Sequence, residues 1–227
     1  DKHRGSGGVG AVMKGLGLVA RNRQTWLIAV VGLGSTAPLL GFAGLWGVPF
    51  LETAYGLSRT HAATLTSMMM AGWGIGAPIM GWLSDRMGLR KPPLYVGLAM
   101  QTLGLVALIH APGLTPTMIG ALCFLIGVGG STQICCFGLV KENNPARLSG
   151  TSIGFVNGMI TGAGALFQPL IGALLDVGWT GELANGARIY SEATYRFALG
   201  SLIAGTLLGL AALVAVRETH CRPLPTD

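Results

Sequence analysis

The chain has 227 residues, 51% of them hydrophobic and only 11% charged, with a formal net charge of +6. Soluble domains carry about 25% charged residues, so this composition excludes an ordinary soluble globule. The pI near 9.5 belongs to loop charges between apolar blocks and does not point to nucleic-acid binding.

Residues 1–23 are basic and glycine-rich, with Lys2, Arg4, Lys14, Arg21 and Arg23. Val12, Leu16 and Val19 recur at helical spacing, as in an amphipathic segment lying on a cytoplasmic surface; a flexible linker fits the same residues. Beyond them come long runs without Asp, Glu, Lys or Arg. Crossing the hydrocarbon core takes roughly 20 apolar residues, and the runs supply six spans, about 24–50, 61–84, 93–111, 116–139, 150–175 and 197–216. A tail, 217–227, follows. Together they form an all-α membrane protein with a six-helix bundle over 24–216.

Each glycine in a soluble helix costs about 1 kcal/mol relative to alanine, whereas in membrane helices small residues let backbones approach. Gly72 with Gly76, and Gly158 with Gly162, fit the G-x-x-x-G packing template; ordinary glycine abundance in such spans is the alternative. Cys123, Cys135, Cys136 and Cys221 show no metal-ligand spacing, so no metal or cofactor is expected. P-loop, zinc-protease and nucleophile-elbow motifs are missing from the sequence, so no enzymatic chemistry is expected either.

Six spans place both termini on one side. That side carries twelve of the fifteen Lys and Arg, in the start, the 85–91 hairpin, the 141–147 loop and the tail; only Arg59, Arg188 and Arg196 face the other. The positive-inside rule puts the richer side in the cytoplasm. The second span ends in Pro78, Gly81, Leu83 and Asp85. The same P-x-x-G-x-L-x-D spacing returns 91 residues later as Pro169, Gly172, Leu174 and Asp176. Asp85 closes its span on the cytoplasmic side and Asp176 on the outer side. Three spans followed by three of inverted sense is the internal symmetry of secondary transporters.

At the hairpin the chain resembles the major facilitator superfamily, whose signature between the second and third helices of each half is G-x-L-x-D-R-x-G-R-[RK]. Gly81, Leu83, Asp85, Arg86 and Gly88 match in place, and Arg90 and Lys91 supply the basic end. Leu89 stands where the first basic residue belongs. Asp176, after Gln168, Pro169 and Gly172, is similar to the end of that family's eleventh helix. The resemblance covers residues 15–217. It implies the carboxy-terminal half of a permease that pairs with an amino-terminal six-helix half and moves a small solute, as symporter or antiporter, by alternating access. The implied location is a bacterial inner (plasma) membrane.

The physical reading of the hairpin is a gate latch: Asp85 is an anion at a membrane boundary that a facing helix amino terminus would attract. A topology-fixing role for Asp85, Arg86, Arg90 and Lys91 is the plainer alternative. The spans carry no internal Asp, Glu, Lys or Arg to serve as a proton relay. Phe42 and Trp46, one turn apart, Trp73, Gln133 and Asn157 are candidate cavity residues, by analogy with the helices that border the family's central cavity. Packing or lipid contact is the alternative for the aromatics, and interhelical hydrogen bonding for the amides. Gln101 lies in a span the resemblance makes peripheral.

Two further readings compete. Asn144, Pro145, Ala146 and Arg147 spell the aquaporin pore tetrapeptide, but a single copy occurs, in a polar loop. A membrane sensor or assembly subunit on the same bundle is the other.

Overall fold

The computed structural model describes residues 9–184 and 186–223. Lys2 and Arg4 of the basic start, and the last four residues of the tail, lie outside them. Helix α1 (Val9–Arg21) buries Gly15 and Val19 but leaves Val12, Met13 and Leu18 exposed. At Asn22 the chain turns. Its side chain accepts from the Gln24 N–H at 3.0 Å and so caps α2 (Arg23–Ala37), satisfying one of the free amides of the first turn.

The first predicted span is one helical run of 33 residues in three registers. After α2, a π-helix covers Pro38–Trp46, and α3 (Gly47–Tyr55) completes the run. Pro38 has no N–H to return to the preceding turn, which is where the α register gives way. The run passes the predicted end at residue 50 and carries half-buried Glu52 in its last turn. Gly56 stops it in the left-handed region (φ 63°), which costs glycine nothing.

Helix α4 (Arg59–Met87) is capped by Ser58 and, like the first run, ends on a left-handed glycine, Gly88 (φ 64°). Then follow α5 (Lys91–His110), α6 (Pro116–Ser131) and α7 (Ile134–Glu142). A single 3-10 turn, Ala146–Leu148, leads into α8 (Ser149–Val177). Strands β1 (Leu183–Ala184) and β2 (Ala187–Arg188) form a two-residue antiparallel pairing before α9 (Glu192–Ala215). The fourth predicted span is therefore two helices, broken at Thr132 and Gln133. Among the described residues, five helical segments are long and apolar enough to cross a membrane. Helix α4 has the length, at 29 residues, but its serines, threonines and glycines dilute its hydropathy.

Glycines set the closest crossings. A Cβ on Gly72 would lie 2.1 Å from the Phe124 carbonyl oxygen, and one on Gly127 would lie 2.0 Å from that of Met69. Helices α4 and α6 thus press backbone to backbone through reciprocal glycines. Gly76 leaves equally little room against Ser131. The other expected contact is absent. Among the described residues, a Cβ on Gly158 or Gly162 meets nothing within 4 Å, and the same holds for Gly150 and Gly154. No described helix packs against that stripe of α8.

The core divides into two apolar clusters. One gathers Phe42, Phe50, Leu65, Leu105, Ile126, Phe167 and Leu199. The other gathers Ile28, Leu94, Leu98, Leu139, Val156 and Leu213. Between them in sequence along the helices lies a polar belt, buried Ser35, Thr36, Gln101, Ser131, Thr132, Gln133 and Thr206. Both helical breaks, at Pro38 and at Thr132–Gln133, adjoin it.

Candidate transport site

Two places collect the polar side chains: the hairpin end of the bundle and the mid-height belt. At the hairpin, Asp85 and Arg90 are joined across Gly88, whose left-handed conformation reverses the chain within three residues. Arg90 Nη1 donates to Asp85 Oδ1 at 2.6 Å and to Ser84 Oγ at 3.1 Å; Nη2 reaches Glu142 Oε1 at 2.7 Å. The surroundings of the two carboxylates differ. The Glu142 side chain is 8% exposed and Asp85 68%, against 13% for Arg90. Burial alone would lower the Arg90 pKa, but the bonds to Glu142 and Asp85 outweigh it and hold the guanidinium above its ordinary range.

Gly138 makes this reach possible. A Cβ there would come within 2.8 Å of Arg90 Nε. Arg86 turns away from the network and lies over Trp82, 5.2 Å from the ring. Lys91 Nζ donates to the Val214 and Val216 carbonyls at 3.3 and 2.7 Å, binding the last free carbonyls of α9. Gly81 is loosely packed, since a Cβ there would lie 3.9 Å from Ile134, and Leu83 is half-buried.

The repeat partner ends in a comparable pair. Asp176 Oδ1 takes the Arg188 guanidinium and the Tyr190 hydroxyl, each at 2.6 Å. Upstream, Pro169 is exposed on α8. The Trp46 indole lies 3.2 Å from where a Gly172 Cβ would be, and its N–H donates to the Gln168 carbonyl at 2.9 Å. The Gln168 amide in turn donates to the Leu40 carbonyl at 2.9 Å. The π segment and α8 are therefore tied at both ends of the widened turn.

In the belt, Thr36 and Gln133 are hydrogen-bonded, joining the two helical breaks directly. Ser35 donates to the Gly130 carbonyl at 3.3 Å, and Gln101 donates to the Ser35 carbonyl at 2.8 Å. Gln101 is buried and its Oε1 has no partner, as is true of the Trp73 indole N–H. Phe42 is fully buried, edge-on to Phe50 at 6.0 Å, and belongs to the core. Asn157 is exposed, on the same stripe of α8 as Gly154, Gly158 and Thr161. Gln133 and Asn157, equivalent on sequence grounds, thus stand apart: one is tied into this bundle and the other points out of it.

Several participants carry no sequence motif. Glu142 and Gly138 are at the end of an apolar span, and Glu218 and Thr219 lie beyond the last one. The available signal for Glu142 was a carboxylate closing an apolar span at the same membrane end as the hairpin's three cations. Asn144 is buried and donates to Thr25 Oγ1 at 3.1 Å and to the Val140 carbonyl at 2.8 Å. It also accepts from Asn22 at 3.2 Å. Asn144 of the N-P-A-R tetrapeptide thus ties the loop to the start of α2 at one end of the bundle.

Comparison with known proteins places this arrangement. The chain is 26% identical over 138 residues to inositol transporter 4 of Arabidopsis thaliana, covering 61% of this chain and 21% of that one. It is 29% identical over 213 residues to the gallate transporter of Pseudomonas putida, covering 87% of this chain and 39% of that one. The fold matches a bacterial homolog of the human lysosomal transporter Spinster with a TM-score of 0.55 at 14% identity. That match covers 86% of this chain and 48% of the other. The chain thus spans about half the length of the solved structure and less of these two relatives. The family model for the Major Facilitator Superfamily matches residues 25–225. This is an integral membrane chain, and it belongs to the major facilitator superfamily.

Proposed function

We propose that the chain is one half of a secondary transporter, working against an amino-terminal six-helix half to move a small solute by alternating access. The observation that carries this reading is the bare stripe of α8. Gly150, Gly154, Gly158 and Gly162 recur every fourth residue with nothing packed on them among the described residues, beside exposed Asn157 and Thr161. Small residues at this spacing are a surface for another helix, and this chain covers only 48% of the solved structure it matches. Asn157 then faces the space between halves, where its amide is free for a solute. Trp46 and Trp73 border the same space, while Gln133 acts from behind by holding the two helical breaks together.

In this reading Asp85 is the gate contact of the hairpin. Arg90 is fixed from within by Glu142, so the exposed carboxylate can exchange Arg90 for a facing helix amino terminus. The hairpin side is cytoplasmic, in keeping with its cations, and the membrane is the plasma membrane. The spans' interiors lack charged side chains, which favours a neutral solute; inositol, named for one relative, is of that kind. The test is uptake by the full-length protein in proteoliposomes, with and without a proton gradient. Saturable uptake with countertransport supports a carrier. Linear flux would indicate a channel, and no flux of any solute a sensor or assembly role.

A further inference from the structure

The segment after α9 folds back over the hairpin. The Glu218 carboxylate accepts from the Arg90 N–H at 3.0 and 3.1 Å and from the Lys91 N–H at 2.8 Å. It therefore closes the amino terminus of α5, where amides have no intrahelical acceptor. Lys91 at the same point closes the carboxyl terminus of α9, so the two helix ends cap each other. Thr219 is buried and its hydroxyl is hydrogen-bonded to Glu142, the carboxylate that holds Arg90. Cys221 Sγ contacts the Ser84 carbonyl at 3.7 Å. To make these contacts the chain takes two consecutive left-handed residues that are not glycine, His220 (φ 52°) and Cys221 (φ 57°). That conformation is sparsely populated for such residues and persists where surrounding contacts over-determine it.

We propose that residues 218–221 are a strap over the cytoplasmic gate, with Glu218 and Thr219 as positioning residues for Arg90. They set how firmly the guanidinium stays on Glu142, and hence how readily Asp85 is released to another partner. The strap rests on the hairpin being the gate, but it is a physical attachment that can be measured without transport. Burial would raise the Glu218 pKa; the N–H groups of Lys91, Arg90, His220 and Thr219 overcome this and lower it, consistent with a carboxylate held in a cap.

Cys221 is a native reporter of the strap, because Cys123, Cys135 and Cys136 are buried in the bundle. The experiment is the rate of maleimide modification of Cys221 in the full-length protein in membranes, assigned by peptide mass spectrometry. Glu218→Gln and Thr219→Val should each raise the rate by roughly tenfold, the effect of losing about one or two good hydrogen bonds. Thr219→Ser, which keeps the hydroxyl, should restore the slow rate. Arg90→Lys should also raise it, through Glu142, whereas Arg86→Lys should not. Unchanged modification in both Glu218→Gln and Thr219→Val overturns the strap, whatever the uptake assay shows. Should Glu218→Gln fail to reach the membrane, Thr219→Val alone decides. Faster modification with normal uptake would keep the attachment but remove its role at the gate, overturning the positioning claim.

Discussion

Arg90 and Glu142, 52 residues apart, meet at 2.7 Å with both side chains largely buried. Leaving a buried charge without any partner costs about 3–5 kcal/mol; without Glu142 Arg90 keeps only the exposed Asp85, which offsets part of that loss. Glu142→Ala should therefore lower the thermal unfolding midpoint in detergent clearly, and Arg90→Lys less so, since lysine lacks the two-pronged fork. A Glu142→Ala midpoint equal to the parent's would show the pair to be dispensable.

Asp85 shares the same guanidinium but is mostly exposed. Exposed pairs contribute about 0–1 kcal/mol. Asp85→Asn should leave the midpoint within error and slow uptake, separating gate function from folding. Full uptake by this variant would remove Asp85 from the gate.

The two glycine stripes should respond oppositely. Gly127→Ala places a methyl where only 2.0 Å separates it from the Met69 oxygen, so α4 and α6 must part and the bundle loses stability. Gly158→Leu adds its side chain where a Cβ meets nothing within 4 Å among the described residues. It should leave unfolding of this chain unchanged while impairing uptake by the full-length protein. Normal uptake in Gly158→Leu would argue against a helix seated on that face.

Glu218 makes stability depend on pH. Its folded pKa lies below the ordinary glutamate value of 4.5, so the carboxyl group binds fewer protons folded than unfolded. The stabilisation is present above that ordinary value and is lost as pH falls through the lower folded one. Unfolding midpoints measured downward from neutral pH should drop in that window, and Glu218→Gln should flatten that part of the profile. An identical profile in the variant would assign the dependence to other carboxylates.

Trp46→Phe keeps a ring over Gly172 but removes the N–H donated to Gln168. Interhelical bonds of this kind in membranes average about 0.6 kcal/mol, so a small midpoint loss is expected. Its effect on uptake should exceed that loss if the π segment moves with α8. Equal uptake would leave Trp46 as packing.

The amino-acid sequence by itself determined that the chain spans a membrane, roughly where, and in which family. Hydrocarbon excludes charges, so span limits are written as charge-free runs, and Gly88 is needed for the left-handed turn at the hairpin whatever surrounds it. Gly72 and Gly76 were legible as packing for the same local reason. Tertiary structure decided the rest. Gly158 and Gly162 share that spacing but face outwards, because glycine periodicity marks a surface for close approach without saying which helix fills it. The π segment of the first span depends on α8, which takes the Trp46 N–H at Gln168 and returns the Gln168 amide to Leu40. Arg90 could have paired with any of several carboxylates. That it pairs with Glu142, under a strap from beyond α9, follows from the rotation and crossing of α5, α7 and α9, which a one-dimensional pattern of hydrophobic and charged residues does not encode.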